Sequence, residues 1–430
     1  MKRLRSTPFA PARQERAALV GLITRASAID PAQALDELAG LASAAGATVV
    51  LRLLQDRPRP DPATFLGRGK VETLRAACEE TGASLAIFDN ELSPAQLGNL
   101  EDALGRKVLD RTELILDIFA RRARTREGKL QVELAQLKYL LPRLAGSSTA
   151  LSRLGAGIGT RGPGETKLET DRRRIRQRIG ALGREIEQVR RRRVQLRERR
   201  HKADVPTVTL VGYTNAGKTT LFNRLTGETA AASDALFVTL DTLVRRLRLP
   251  DRRELLVSDT VGFIERLPHS LVAAFRATLE EVAHSDLLLH VIDASNPDRE
   301  RHAAAVRQVL GEVGAETVPV VDVYNKCDLI ERDELARLRR AHPTAILASA
   351  RSGEGQAELL DAMTARLALD TQRVTFEYDT GSAEDQQQIA ALYRHARVVH
   401  HLTTDGRTAI VADVPRRLLP RLEGRQGLEP

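Results

Sequence analysis

Residues 212–219 read Gly-Tyr-Thr-Asn-Ala-Gly-Lys-Thr, a spacing of glycines, lysine and threonine that is typical of a phosphate-binding loop. Glycine at both ends lets the backbone curl so that its N–H groups point at phosphate oxygens. Lys218 would bridge the β- and γ-phosphates, and the Thr219 hydroxyl would ligate Mg²⁺. The pattern predicts binding of a nucleotide with magnesium, but it does not choose between ATP and GTP.

A second motif selects the base. Asn325, Lys326 and Asp328 directly follow the apolar run at residues 318–324. A carboxylate at Asp328 can accept hydrogen bonds from N1–H and the 2-amino group of guanine, and adenine has neither donor. A buried polar group left unpaired accounts for discrimination on the order of 10⁴. Residues 349–351 follow the last predicted strand and would close the other side of the base, so the nucleotide is predicted to be GTP.

Two segments between these motifs are predicted to sense the γ-phosphate. Asp259 follows an apolar run and would hold Mg²⁺ through water, and the N–H of Gly262 would meet the γ-phosphate. Thr239 is the best second magnesium ligand, preceded at residues 230–236 by a segment predicted to be a mobile switch. Phe263 stands where many GTPases carry a water-orienting glutamine. Intrinsic hydrolysis is therefore expected to be slow, on the order of 10⁻³ s⁻¹ or less.

The predicted site combines these segments. Catalytic roles are predicted for Lys218, Thr239 and Gly262, and magnesium contacts for Thr219, Thr239 and Asp259. The residues predicted to contact the nucleotide lie in the phosphate loop, the two switch segments and the two base-binding segments: Gly212, Tyr213, Thr214, Asn215, Ala216, Gly217, Lys218, Thr219, Thr220, Phe237, Val238, Thr239, Leu240, Asp241, Asp259, Thr260, Val261, Gly262, Asn325, Lys326, Asp328, Ser349, Ala350 and Arg351.

The elements that must hold these residues follow from hydrophobic periodicity. Short apolar runs alternate with helical patterns both before and around the motifs, which indicates parallel sheets covered by helices. We therefore predict an α/β protein in four parts: residues 1–111, a small parallel α/β domain; 112–204, an antiparallel helical hairpin; 205–369, a P-loop GTPase domain; and 370–430, a small α+β domain.

The predicted hairpin rests on two apolar seams. Leucines from Leu130 to Leu144 step by four and three residues, and the same stepping returns at residues 168–196, where Arg172 and Arg193 alone interrupt it. Two such seams would pack against each other, with a bend at Gly180 and Gly183, which weaken a helix.

Positive charge is concentrated in the same region. Residues 121–204 hold 24 lysines and arginines against 9 acidic residues, a net charge of +15, whereas the whole chain carries +9. A surplus of positive charge confined to one segment is typical of a nucleic-acid contact surface. A solvated helix face is the simpler alternative. The glycine-rich connector at residues 145–165, with Arg153 and Arg161, is predicted to be an RNA-binding loop rather than a flexible linker.

Composition excludes other classes of protein. Cys78 and Cys327 show no metal-ligand spacing, and no apolar stretch approaches the roughly 18 residues of a membrane helix. We expect a monomeric cytoplasmic protein without an integral membrane segment; peripheral membrane association stays open.

These motifs together resemble the HflX family of translation-factor-related GTPases over nearly the whole chain. The matching segments are residues 66–70 (LGRGK), 110–119 (DRTELILDIF), 121–143, 159–171 (GTRGPGETKLETD), 237–241 (FVTLD) and 263–268 (FIERLP). The resemblance supports Thr239 as the switch threonine, but Thr242 stands where the family usually has proline.

The resemblance implies a bacterial protein that binds the large ribosomal subunit and the 70S ribosome. In that family the GTP form splits or rescues stalled ribosomes, notably under heat stress, and the hairpin reaches toward the peptidyl-transferase region. Two alternatives stay open: a ribosome-assembly GTPase, and an RNA-binding regulator that uses GTP as a structural switch. Residues 66–70 would also suit an anion or a second nucleotide.

Overall fold

The computed structural model describes residues 15–23, 34–144, 163–202, 205–229, 236–249, 254–265, 281–367, 371–404, 406–416 and 419; within these ranges the side chains of residues 163–168, 193, 196–202 and 394–395 are left out. The predicted RNA-binding residues Arg153 and Arg161 lie outside the described residues, as does nearly all of the predicted mobile switch.

The N-terminal part contains the predicted small parallel sheet, and its four strands lie in the order β2-β1-β3-β4. Its strands are β1 (Arg16–Ile23), β2 (Thr48–Asp56), β3 (Leu85–Phe88) and β4 (Lys107–Asp110), and its helices are α1 (Asp36–Ala44), α2 (Arg68–Thr81) and α3 (Pro94–Leu104). Helix α3 begins at a capping box between Ser93 and Gln96, with Pro94 in its first turn. Strand β3 is buried along its whole length because helices cover both faces.

Residues 66–70 form the beginning of α2, which has Gly67 as its N-cap. The Gly67 N–H donates to Gln55 Oε1 at 3.0 Å, so this donor already has a partner. A second nucleotide at this helix stays a prediction.

Three helices lead from this sheet into the basic segment: α4 (Arg111–Arg122), α5 (Arg126–Arg143) and α6 (Pro163–Lys202). Asp110 caps α4 by accepting from the Glu113 N–H, and Thr125 caps α5 by accepting from the Gly128 N–H. Helix α4, in which seven of twelve residues are buried, was not among the predicted helices.

Helices α5 and α6 form the predicted antiparallel hairpin. Arg126 pairs with Glu185, and Arg178 pairs with Glu133 at 2.7 Å, so residue numbers fall on one helix as they rise on the other. Leu182 is fully buried against leucines of α5. Helix α6 continues without interruption through both glycines at which a bend was expected.

Replacing Leu182 by alanine should lower the free energy of local unfolding of the hairpin by about 2–5 kcal/mol, because a cavity would remain between the two helices. Hydrogen exchange of the α5 and α6 amides, followed by mass spectrometry, measures this local stability. Val194, which is 40% exposed on the same helix, provides the matched control Val194→Ala. Equal exchange in both variants would contradict the packing.

The central part is a six-stranded sheet in the order β10-β9-β8-β5-β7-β6. Its strands are β5 (Thr207–Gly212), β6 (Leu243–Arg248), β7 (Glu254–Asp259), β8 (Leu287–Asp293), β9 (Val320–Asn325) and β10 (Ile346–Leu347), and its helices are α7 (Lys218–Thr226), α8 (Arg299–Glu312), α9 (Arg332–Ala341) and α10 (Gln356–Arg366). All pairs are parallel except β6 with β7. Edge strand β6 was not predicted, because three arginines in six residues obscure its apolar face.

The C-terminal part is the predicted small α+β unit. Its described residues form an antiparallel sheet in the order β11-β13-β12 and one helix, with strands β11 (Thr371–Asp379), β12 (Arg397–Thr404) and β13 (Arg407–Pro415) and helix α11 (Ala383–His395). Across the described parts of the chain, no helix has both the length and the apolar character needed to cross a bilayer.

Candidate nucleotide-binding site

Parallel strands bring the distant motifs to one edge of the central sheet. Strands β5, β7 and β9 end at Gly212, Asp259 and Asn325, and β5 pairs with both β7 and β8 while β8 pairs with β9. The carboxyl ends of neighbouring parallel strands meet at the same edge, which is where open α/β sheets bind ligands.

The phosphate-binding loop connects β5 to α7. Gly217 is the N-cap of α7 with a positive φ of 89°, and a Cβ there would overlap the Asn325 side-chain nitrogen, so only glycine fits. Among the described residues, no side chain caps this helix. Its first backbone N–H groups and the positive end of its dipole therefore remain available to an anion.

Lys218 is buried at the start of α7. Its ammonium donates to the carbonyl oxygens of Gly212 at 3.1 Å and Tyr213 at 2.8 Å. Burial lowers the pKa of Lys218 to about 8, and the Asp259 carboxylate partly opposes this shift. A Cβ on Gly262 would lie 3.0 Å from the ammonium nitrogen, so the predicted γ-phosphate sensor lies beside this lysine.

Three oxygen-bearing side chains converge next to the loop. Thr219 Oγ1 lies 2.8 Å from Thr239 Oγ1, and these hydroxyls donate to Asp259 Oδ2 at 2.8 Å and 3.2 Å. In the part of the chain that the structure describes, the other carboxylate oxygen of buried Asp259 has no hydrogen-bond partner. Burial raises the pKa of Asp259, and Lys218 with the two hydroxyls acts against it. Such a cluster of hard oxygen atoms, one of them unpartnered, fits Mg²⁺.

Asn325 ties three loops together at the same edge. Its Nδ2 donates to the Ala216 carbonyl oxygen, and its Oδ1 accepts from the Ala350 N–H, both at 2.9 Å. Lys326 has a left-handed backbone and its ammonium pairs with Asp293 at 2.7 Å. Asp328 follows and is exposed, which leaves its carboxylate accessible to a base.

A cavity of about 410 Å³ opens between these loops. Its thirteen lining residues all belong to the predicted nucleotide contacts: Thr214, Asn215, Gly217, Lys218, Thr219, Thr220, Phe237, Val238, Thr239, Thr260, Gly262, Lys326 and Arg351. Asp328, Ser349 and Ala350 do not line this cavity.

Three residues that were predicted to contact the nucleotide direct their side chains elsewhere. The Tyr213 ring stacks on His302 with centroids 3.8 Å apart, and its hydroxyl donates to Glu37. Leu240 is buried in the apolar core. The Asp241 carboxylate turns to the start of α5. These side chains face the N-terminal part and the start of the hairpin, which pack directly behind these loops.

Phe263 is also turned away from the cavity. Its ring is 3% exposed within the apolar core. Its backbone pairs with the phosphate-binding loop: the Thr214 N–H donates to Phe263 O at 2.7 Å, and the Phe263 N–H to Gly212 O at 3.1 Å. The Phe263 side chain therefore has no hydrogen-bonding group and does not line the cavity.

Sequence reasoning missed the contacts between the N-terminal and central parts. Arg111 is 4% exposed, pairs with Glu37 and with Asp89 at 2.7 Å, and donates to the Glu265 carbonyl oxygen at 3.0 Å. The Glu265 N–H in turn donates to the Tyr213 hydroxyl at 2.9 Å. No local pattern reveals such a network, because its members are far apart in the chain.

Comparison with known proteins identifies the family. Residues 32–120 match the family model described as GTP-binding GTPase N-terminal, residues 122–200 the GTP-binding GTPase middle region, and residues 207–326 the 50S ribosome-binding GTPase. GTPase HflX of Caldanaerobacter subterraneus is 50% identical over 84% of this chain and 83% of its own length. The chain belongs to the HflX GTPase family.

Other members of the HflX family are similarly close. GTPase HflX of Escherichia coli is 50% identical over 78% of this chain and 79% of its own. A crystal structure of a GTP-binding protein from Sulfolobus solfataricus in complex with GDP matches 82% of this chain and 99% of that chain, at 25% identity and a TM-score of 0.42. As an HflX GTPase, this chain is a GTP hydrolase with a P-loop GTPase domain.

Restoring glutamine at the usual position should not accelerate this enzyme. Because Phe263 is buried in the core, Phe263→Gln should leave intrinsic single-turnover hydrolysis unchanged within about twofold and lower the free energy of unfolding by about 3–5 kcal/mol. Phe263→Leu is the matched control and should cost less than about 1.5 kcal/mol. A large gain in intrinsic rate for the glutamine variant would show that this side chain reaches the cavity.

Proposed function

We propose that this HflX GTPase hydrolyses GTP with Mg²⁺ and, in its GTP form, binds the large ribosomal subunit to split or rescue stalled ribosomes. The observation that carries the nucleotide part is the convergence of Thr219, Thr239 and Asp259 within 2.8–3.2 Å at the cavity. In this proposal Thr219 and Thr239 hold the ion directly, and Asp259 holds it through water.

Each group at the cavity then has a role. Lys218 exchanges its two carbonyl acceptors for the β- and γ-phosphate oxygens, and the N–H groups at the start of α7 bind the same phosphates. The Gly262 N–H donates to the γ-phosphate from beside the lysine. Bound Mg²⁺ would neutralise charge that develops on the phosphates during transfer.

Guanine recognition is assigned to the loops that Asn325 joins. Its two buried hydrogen bonds hold the loop after β9 against residues 349–351 and the phosphate-binding loop. Asp328 would accept from both guanine donors, while Lys326 and Arg351, which line the cavity, flank the nucleotide.

A substitution at Asp328 tests this assignment. Asp328→Asn should weaken GTP binding on the order of 100-fold, because two hydrogen bonds to a charged group are lost or weakened. The same variant should bind xanthosine triphosphate more tightly, since an amide N–H can donate to the 2-oxo group. Asp333→Asn, an exposed carboxylate in α9, is the control. Unchanged GTP affinity in equilibrium titration would refute the role.

The hairpin supports the ribosome as the partner. Among the described side chains of α6, eight arginines are exposed: Arg173, Arg174, Arg176, Arg178, Arg184, Arg190, Arg191 and Arg192. Such a basic surface along one long helix suits ribosomal RNA, whose phosphates bind cationic side chains with release of counterions. The match of residues 207–326 to a model described as 50S ribosome-binding GTPase is consistent with this partner.

Ribosome splitting can be tested directly. With 70S ribosomes and a non-hydrolysable GTP analogue, light scattering should report subunit separation, and with GTP the ribosome should raise phosphate release at least about 100-fold above the slow intrinsic rate. Binding only to precursor large subunits would instead indicate an assembly factor. Stimulation by RNA alone, without splitting, would indicate a regulator.

The sequence also predicts which residues carry ribosome stimulation. Arg153→Ala with Arg161→Ala should reduce stimulation and leave intrinsic hydrolysis unchanged, whereas Arg366→Ala, an exposed arginine of α10, should change neither. If the ribosome stimulated GTP hydrolysis by the double variant fully, these two arginines would not contribute to the ribosome contact.

A further inference from the structure

The carboxylate of Asp241 binds the start of helix α5. Its Oδ2 accepts from the N–H groups of Arg124 and Thr125, both at 2.8 Å, and its Oδ1 accepts from the Thr125 hydroxyl. Thr125 is also the N-cap of α5 and accepts from the Gly128 N–H at 3.0 Å. Three donors and the positive end of the α5 dipole therefore hold one carboxylate.

Gly128 makes this contact possible. It is buried within the first turn of α5, where glycine is a poor helix former, yet a Cβ at this position would overlap Asp241 Oδ1. Any other residue would displace the carboxylate. The close approach, rather than helix stability, explains glycine at this position.

The same segment has a second anchor on the other side of Thr239. The Phe237 ring packs edge-on against Phe119 of α4, with centroids 4.8 Å apart, and Phe237 is 2% exposed. Thr239 therefore lies between an apolar contact with α4 and the hydrogen bonds of a carboxylate to the start of α5. Its hydroxyl faces the opposite way, toward Thr219 and Asp259.

We propose that Asp241 is a positioning residue, whose contact with the start of α5 fixes Thr239 for the γ-phosphate and couples the nucleotide pocket to the hairpin. The coupling rests on the proposed role of Thr239. Helix α5 is the first helix of the hairpin, and Asp241 is only two residues from Thr239 in the chain. A displacement of the hairpin would therefore move the Asp241 carboxylate and, with it, Thr239. By reciprocity, a γ-phosphate that orders Thr239 also stabilises the start of α5.

Selective loss of triphosphate binding tests the positioning role. In the full-length protein, Asp241→Asn and Gly128→Ala should each weaken binding of a fluorescent non-hydrolysable GTP analogue about tenfold, while GDP binding stays within about twofold, because GDP does not engage Thr239. Gly128→Ala raises the helix propensity of α5, so a lower affinity in that variant cannot be ascribed to a weaker helix. Asp413→Asn removes a carboxylate that binds Arg373 at 2.8 Å and 3.1 Å, and it should change neither affinity.

Hydrogen exchange tests the coupling in the other direction. In the wild-type protein the amides of Arg124 and Thr125 should exchange more slowly with the GTP analogue than with GDP, and this difference should disappear in Asp241→Asn. Wild-type selectivity for the analogue in both variants, or equal exchange in the two nucleotide states, would overturn the proposal.

Thr239→Ala separates this inference from the proposed function. If Thr239→Ala loses analogue binding selectively and Asp241→Asn does not, the positioning role alone is wrong. If Thr239→Ala binds the analogue like the wild type, the assignment of Thr239 fails and the coupling falls with it.

Discussion

The hydrogen bonds of Asn325 are the constraint on which the nucleotide site depends. One amide joins the phosphate-binding loop through Ala216 and the loop after β10 through Ala350, so three segments from distant parts of the chain share one fixed geometry. The amide is 2% exposed, and an unpaired N–H or carbonyl in its place would be costly. The Asn325 amide also explains the glycine at position 217, because it occupies the space that a Cβ at that position would need.

A second constraint acts on the other side of the same loop. One apolar cluster extends from the helices of the N-terminal part into the central part and includes Phe119, Phe237 and Phe263. Two of these rings belong to segments that the proposed mechanism requires to respond to the γ-phosphate. A change in these segments with the nucleotide state would therefore also change their contacts in this cluster. The buried hydrogen bonds among Arg111, Glu37 and Tyr213 also connect the N-terminal part to the central part.

The site was predictable where function lies in contiguous residues. All residues that line the cavity come from short motifs, whose geometry follows from a strand, a turn and a helix in sequence. The side-chain partners of Tyr213 and Asp241 were not predicted, because Glu37 and Thr125 are 176 and 116 residues away. Helix α4 and strand β6 were also not predicted; in β6, three arginines among six residues obscure the apolar face by which a strand is recognised.

The position of Phe263 connects the packing of the apolar core with the proposed need for a partner in GTP hydrolysis. A glutamine there would need to reach the γ-phosphate, but this chain uses the same position to fill the core between its N-terminal and central parts. The two uses exclude each other, since a side chain packed in this apolar cluster does not line the cavity. In the proposed mechanism the missing group must therefore come from outside this position. Tight packing of the N-terminal part against the phosphate-binding loop and the proposed dependence on a ribosome for fast hydrolysis would then have the same structural cause.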